Sequence, residues 1–181
     1  MILEYSLDQT DYLNHQLYIA SKTERIIKKR KRSKLLLAGL YILLGLLYLQ
    51  GSMYSQALVF GLIGLLWYFL YPIWERRRYR KHYQKFIEDT YHERFGKTST
   101  IELGKQLIHL KEQGSESSIS TEEINEIIEI PSLLLIRLKG GSSILFPKDK
   151  ISQLDELIST LKDLALHLNL AYQEENNWVW K

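Results

Sequence analysis

The sequence predicts an α-helical membrane hairpin joined to an α+β domain, a small curved antiparallel sheet or open barrel capped by a C-terminal helix. Three observations predict it. Residues 35–74 contain no Asp, Glu, Lys or Arg. Beyond residue 97, short β-branched runs follow one another between glycine turns. The chain then closes on leucines at helical spacing.

At the N-terminus, Met1–Leu7 alternates weakly between apolar and polar residues and is read as a strand. Asp8 is placed as a helix N-cap, with Leu7 and Tyr12 as a hydrophobic staple. Leu13, Leu17, Ala20 and Ile27 continue at helical spacing into a basic stretch, so this helix is expected to run nearly continuously into the first apolar helix.

The charge-free stretch divides into two apolar runs, Leu35–Leu49 and Ala57–Trp74. At the helical rise these are about 22 and 27 Å long, close to the ~30 Å of a bilayer core once flanking residues join the span. The polar, uncharged QGSMYS between them is a turn. Ala57 and Gly61 form a small-xxx-small pair, and Gly39, Gly45 and Gly64 also allow close helix approach, read as packing inside the hairpin. Pro72 is expected to kink the second helix.

Basic residues set the orientation. Lys22, Arg25, Lys28, Lys29, Arg30, Lys31, Arg32 and Lys34 precede the first apolar run, and Arg76, Arg77, Arg78, Arg80 and Lys81 follow the second. The turn has none. Basic flanks stay cytoplasmic, so both termini are expected inside, in a multi-pass protein of the cell (inner) membrane.

After the second run, Tyr79, Tyr83, Phe86, Ile87 and Tyr91 repeat at helical spacing up to Gly96, a natural stop. The stripe is read as packing on the folded domain or on the first helix. From Thr98 the runs TSTIEL, QLIHLKE, INEIIEI, LLLIRLK and SSILF are read as strands, with turns at Gly104-Lys105-Gln106, Gly114-Ser115 and Gly140-Gly141. Ile151, Leu154, Leu157, Ile158, Leu161, Leu164, Ala165 and Leu168 make an amphipathic helix ending at Asn169. Four regions follow: 1–34, an N-terminal strand and amphipathic basic helix; 35–74, the hairpin; 75–96, a juxtamembrane helix; and 97–181, the cytoplasmic domain.

Two apolar helices between basic flanks, then short strands, then Phe146-Pro147-Lys148-Asp149 leading into a helix, resemble the YcxB-like family of bacterial membrane proteins. The resemblance covers chiefly residues 98–168. It implies a pleckstrin-homology-like domain, a curved sheet capped by a helix, and carries no biochemical activity with it.

No motif points to catalysis or to a cofactor. The chain has no cysteine, which removes disulfides, thiolate nucleophiles and cysteine-held metals. Gly96-Lys97-Thr98 lacks the upstream glycine of a phosphate-binding loop and leads into a strand. His92-Glu93 is followed by Gly96 where a zinc motif has its second histidine, and His15, His82, His109 and His167 show no ligand spacing. Glu122, Glu123, Glu126 and Glu129 are read as solvated charges on a polar edge. Trp178 and Trp180 are left open between packing, partner binding and the membrane interface.

Charge narrows the partner. Residues 1–95 carry 15 Lys/Arg against 8 Asp/Glu, and residues 96–181 carry 9 against 13. A nucleic-acid binder concentrates basic charge on its folded domain; here that domain is acidic, so nucleic acid is not expected. The leading expectation is a non-enzymatic, membrane-anchored cytoplasmic module that binds or regulates a protein. The alternative is a sensor of acidic lipid headgroups, contacted through Lys28, Lys29, Arg30, Lys31, Arg32, Lys34, Arg76, Arg77, Arg78, Arg80 and Lys81. Each such residue near an anionic leaflet contributes about 1 kcal/mol.

Overall fold

The fold is described from a computed structural model, which describes every residue except Gln113. The chain forms two compact units. One joins Met1–His15 to Gln84–Val179; the other comprises Gln16–Tyr83 with Trp180 and Lys181.

The first unit is α+β and holds two four-stranded sheets. Its first sheet has the order β1-β2-β3-β4: β1 (Ile2–Ser6), β2 (Thr98–Leu103), β3 (Leu107–Glu112) and β4 (Ser115–Ser120), all antiparallel. Its second has the order β7-β6-β5-β8: β7 (Ser143–Pro147), β6 (Leu133–Leu138), β5 (Ile124–Glu129) and β8 (Tyr172–Glu174). The β5–β8 pair is parallel; the others are antiparallel.

β1 is the least local of these pairings. Leu3 faces Ile101 and Tyr5 faces Ser99, so neighbours in the sheet lie at opposite ends of a long excursion of the chain. The domain that the sequence begins at residue 97 therefore includes the N-terminal strand and residues 84–96.

No closed barrel forms among the described residues; where the sequence predicts one small curved sheet or open barrel, the strands divide between two four-stranded sheets. Thr121 explains the break after β4. It sits in the 3-10 turn Thr121–Glu123 and donates its hydroxyl to the carbonyls of Lys105 and Gln106, at 2.9 and 3.1 Å, holding the turn against the β2–β3 loop. β5 thus starts a second sheet instead of extending the first. At the other end, β1 and β7 share no ladder among the described residues, and a single hydrogen bond, Tyr5 hydroxyl to Leu145 carbonyl at 2.6 Å, joins them.

The core follows the sequence pattern. Ile127 and Ile128 of β5 and Leu133, Leu134, Leu135 and Ile136 of β6 are buried in unbroken runs, as expected for strands covered on both faces. The helix α4 (Leu154–His167) supplies Leu157, Leu161, Leu164 and Ala165 and lies against β5. Asn169, with φ +53, ends it in the left-handed conformation that asparagine tolerates.

The acidic edge is not simply solvated. Glu122 and Glu123 are exposed, but Glu126 pairs with Arg137 at 2.8 Å across the sheet and accepts from Gln173. Glu129 is buried, ion-paired to Lys148 at 2.7 Å and bonded by the Tyr172 hydroxyl. Burial alone would raise its pKa; the bonds from Lys148 and Tyr172 outweigh that and hold it low. These carboxylates bind β8 to β5.

Helix α1 (Gln9–Lys22) begins at the predicted cap: the Asp8 carboxylate accepts from the N–H groups of Thr10 and Asp11 at 2.7 and 3.0 Å. Lys150 bridges Asp8 and Asp11 at 2.7 and 2.6 Å. Only part of the aromatic stripe packs in this unit: Ile87 is buried and Tyr91 stacks on Tyr12 at 4.7 Å, whereas Phe86 is 43% exposed.

The second unit is a pair of helices, α2 (Glu24–Gln50) and α3 (Tyr54–Tyr91). Both are long and apolar enough to cross a membrane. The predicted continuity with α1 fails at Thr23, whose extended backbone separates α1 from α2, so the basic stretch belongs to α2. The juxtamembrane helix is no separate element: α3 runs through Pro72 as one helix of 38 residues. A Cβ on Gly45 would meet the Ala57 carbonyl at 3.3 Å, and one on Gly64 would meet Tyr41 at 3.2 Å. Glycine there lets the two backbones touch, which places the small residues inside the hairpin. Gly39 and Gly61 have no such neighbour.

Candidate functional site

The charged ends of α2 and α3 carry all eleven basic residues singled out by the sequence, and all belong to the second unit. The structural division sharpens the charge separation. The first unit has 10 Lys/Arg against 19 Asp/Glu, the second 14 against 2. Lys28 to Lys34 lie in the first three turns of α2, where the helix dipole disfavours cations.

The eleven residues are not equivalent. Lys28, Lys29, Lys31, Arg32, Arg76, Arg77, Arg78, Arg80 and Lys81 are exposed; Arg30 and Lys34 are partly covered. Lys28 forms a surface pair with Glu24. Lys34 lies over the Tyr68 ring at 3.7 Å and Arg78 over Trp74 at 5.2 Å, contacts that hold cations beside the aromatic end of the apolar stretch.

Arg30 is turned inward. Its Nε donates to Glu75 Oε2 at 2.9 Å and its Nη2 to the Lys181 carbonyl at 2.7 Å. Its guanidinium lies over the Trp180 ring at 4.8 Å and 5.7 Å from the Tyr79 centroid. Glu75, 5% exposed, also accepts from the Tyr71 hydroxyl at 3.1 Å. A buried carboxylate is costly unless paired and hydrogen-bonded, and here it is both. Of the two open tryptophans, Trp180 is thereby resolved as packing: it is buried and donates to the Arg76 carbonyl at 3.4 Å. The sequence gives no sign of this cluster beyond the lone acid, Glu75, at the end of the charge-free stretch.

Beside the cluster is a cavity of about 280 Å³ lined by Lys29, Ser33, Tyr71, Arg78 and His82, with Glu75 and Tyr79 in its wall. In the first unit, no group of three or more His, Asp or Glu side chains able to hold a metal occurs among the described residues.

No known family model, no characterised protein and no solved structure matches the chain.

Proposed function

We propose that this protein is a membrane-anchored interaction module without catalytic activity. α2 and α3 cross the cell membrane, both ends of the chain lie in the cytoplasm, and the acidic α+β unit offers its surface there to a protein partner. The observation that carries the reading is the charge division, 10 basic against 19 acidic residues in one unit and 14 against 2 in the other. An anionic leaflet attracts the second and repels the first.

Two further observations support it. Leu36, Leu43, Leu47, Leu58, Leu65 and Phe69 are all more than half exposed on the helical pair, a surface that water would not tolerate and lipid would. In the α+β unit, β4 is an exposed sheet edge, paired among the described residues with β3 alone, the kind of edge to which a partner strand adds. The acidic unit favours a partner with a basic surface.

The test is site-specific photo-crosslinking in cells of the full chain. A crosslinker at Ser117 on β4 should give one discrete adduct, weakened by added salt in isolated membranes, whereas one at Asp155 on α4 should not. Absence of an adduct at Ser117 and at every other exposed position of the unit would overturn the reading.

The basic ends of α2 and α3 favour a second reading, acidic-lipid sensing. The resemblance to YcxB-like proteins is compatible with both.

A further inference from the structure

We propose that the cavity between α2 and α3 binds the phosphate of an anionic phospholipid, with Lys29, Ser33, Arg78 and His82 as its donors. The proposal rests on the reading that both helices cross the membrane, and it deepens the lipid-sensing alternative from a diffuse attraction to one built site.

Depth comes first. Residues 35–74 are free of charge, so the boundary of the hydrocarbon lies near Lys34 and Glu75. Ser33 and Tyr71 line the cavity at that boundary, and Lys29 and Arg78 lie about one turn further out. That is the layer in which lipid phosphates sit. Trp74, under Arg78, marks the same layer, since indole rings favour the interface.

Charge comes second. Glu75 in the wall would repel a phosphate if it were free, but Arg30 neutralises it and Tyr71 occupies its other oxygen. Lys29 and Arg78 form no ion pair among the described residues, so their two charges are available to an incoming anion. The salt bridge thus does two things at once: it fixes the wall and removes its negative charge. Hydroxyl and imidazole donors from Ser33 and His82 complete a set suited to phosphate oxygens.

Size comes third. At about 280 Å³ the cavity is at the small end of ligand sites, enough for a phosphodiester headgroup but not for an extended soluble ligand. A zwitterionic headgroup would bring an ammonium against Lys29 and Arg78, so an anionic headgroup is preferred.

The experiment uses the full chain in nanodiscs of phosphatidylcholine doped with phosphatidylglycerol, counting retained lipids by native mass spectrometry. The expected result is a retained phosphatidylglycerol that Lys29→Gln with Arg78→Gln weakens roughly tenfold or more, the loss of two charged hydrogen bonds. Arg77→Gln with Arg80→Gln removes the same charge from exposed side chains outside the cavity and should leave retention within about twofold, the scale of a diffuse surface charge effect. If the first pair fails to insert, single Lys29→Gln is read instead, with a smaller loss in the same direction. Equal losses in both pairs would overturn the site in favour of diffuse attraction. Displacement of the lipid by millimolar inorganic phosphate would overturn the lipid assignment. A chain that carbonate extracts from native membranes would overturn the membrane reading itself, and the site with it; an inserted chain without the lipid difference overturns the site alone.

Discussion

Tyr5 in β1 donates its hydroxyl to the carbonyl of Leu145 in β7 at 2.6 Å, across 140 residues of chain. The two strands belong to different sheets, and this bond ties them together beside the contact of the Tyr5 ring with Phe146. Burial raises the phenol pKa well above its ordinary value, so it remains a donor at any working pH. Tyr5→Phe would leave the Leu145 carbonyl unpaired in the core, a loss of about 1–2 kcal/mol. A larger effect follows from β1 as a whole. A fragment of residues 84–179 lacks an edge strand and should fail to show a cooperative melt, whereas residues 1–15 joined to it by a short linker should restore one. An equally cooperative melt without residues 1–15 would show β1 to be dispensable.

What the sequence reveals of this fold, and what it hides, depends on whether the cause is local. The Asp8 cap, the apolar hairpin and the α4 stripe are patterns within a dozen or two residues, and each is found where its pattern places it, except that Ile151 lies ahead of α4, which begins at Leu154. β4 reads SESSIS and has too few apolar residues to alternate; it is a strand because β3 pairs with it from Leu107–Ser120 to Glu112–Ser115. β8 is three residues long and exists through β5 and the Glu129–Tyr172 bond. The basic residues of the candidate site are plain in the sequence, but the inward turn of Arg30 is not. It depends on Glu75, 45 residues away on another helix, and on Trp180, and no periodicity within one helix reports such a pairing.

Leu161 tests whether α4 is part of the core or an arm laid on it. Its side chain is fully buried, as is that of Leu157 one turn earlier. Leu161→Ala should cost ~2–5 kcal/mol, a large share of the stability of a domain this size. The charged change Leu161→Asp should abolish the folded unit. Circular dichroism melts of the linked 1–15/84–179 protein read both, and an unchanged melt for Leu161→Asp would show α4 to be a detachable arm.

His15 gives the α+β unit a mild acid sensitivity. Its Nε2 is buried without a hydrogen-bond partner among the described residues, and desolvation, aided by the nearby charge of Arg137, lowers its pKa to about 4. The unfolded chain has a histidine near its ordinary 6.5 and so binds more protons between those two values, which means stability rises with pH across that window. The contribution is present above pH 6.5 and is lost as pH falls towards 4, with roughly 2 kcal/mol lost between pH 7 and pH 5. Carboxylates titrate mostly below this range, so His15→Gln should flatten the dependence there. Denaturant melts at pH 7 and pH 5 are the measurement; the same slope in wild type and variant would remove His15 as its source.

The orientation of the hairpin can be checked with two cysteines, because the chain has none of its own. The pairing of β1 with β2 returns the chain, after α2 and α3, to the sheet it left, so the number of membrane crossings must be even. On the proposed membrane reading the basic residues put that sheet in the cytoplasm: eight precede the first apolar run, five follow the second and none lies in the turn, and basic flanks are retained there. Ser52 sits in the turn between α2 and α3, and Ser142 is exposed in the β6–β7 turn. In intact cells an impermeant thiol reagent should label Ser52→Cys and leave Ser142→Cys untouched until the membrane is opened. Labelling of Ser142→Cys alone would invert the topology. Protection of both until permeabilisation would mean that the turn does not reach the outer face, and that α2 and α3 do not cross.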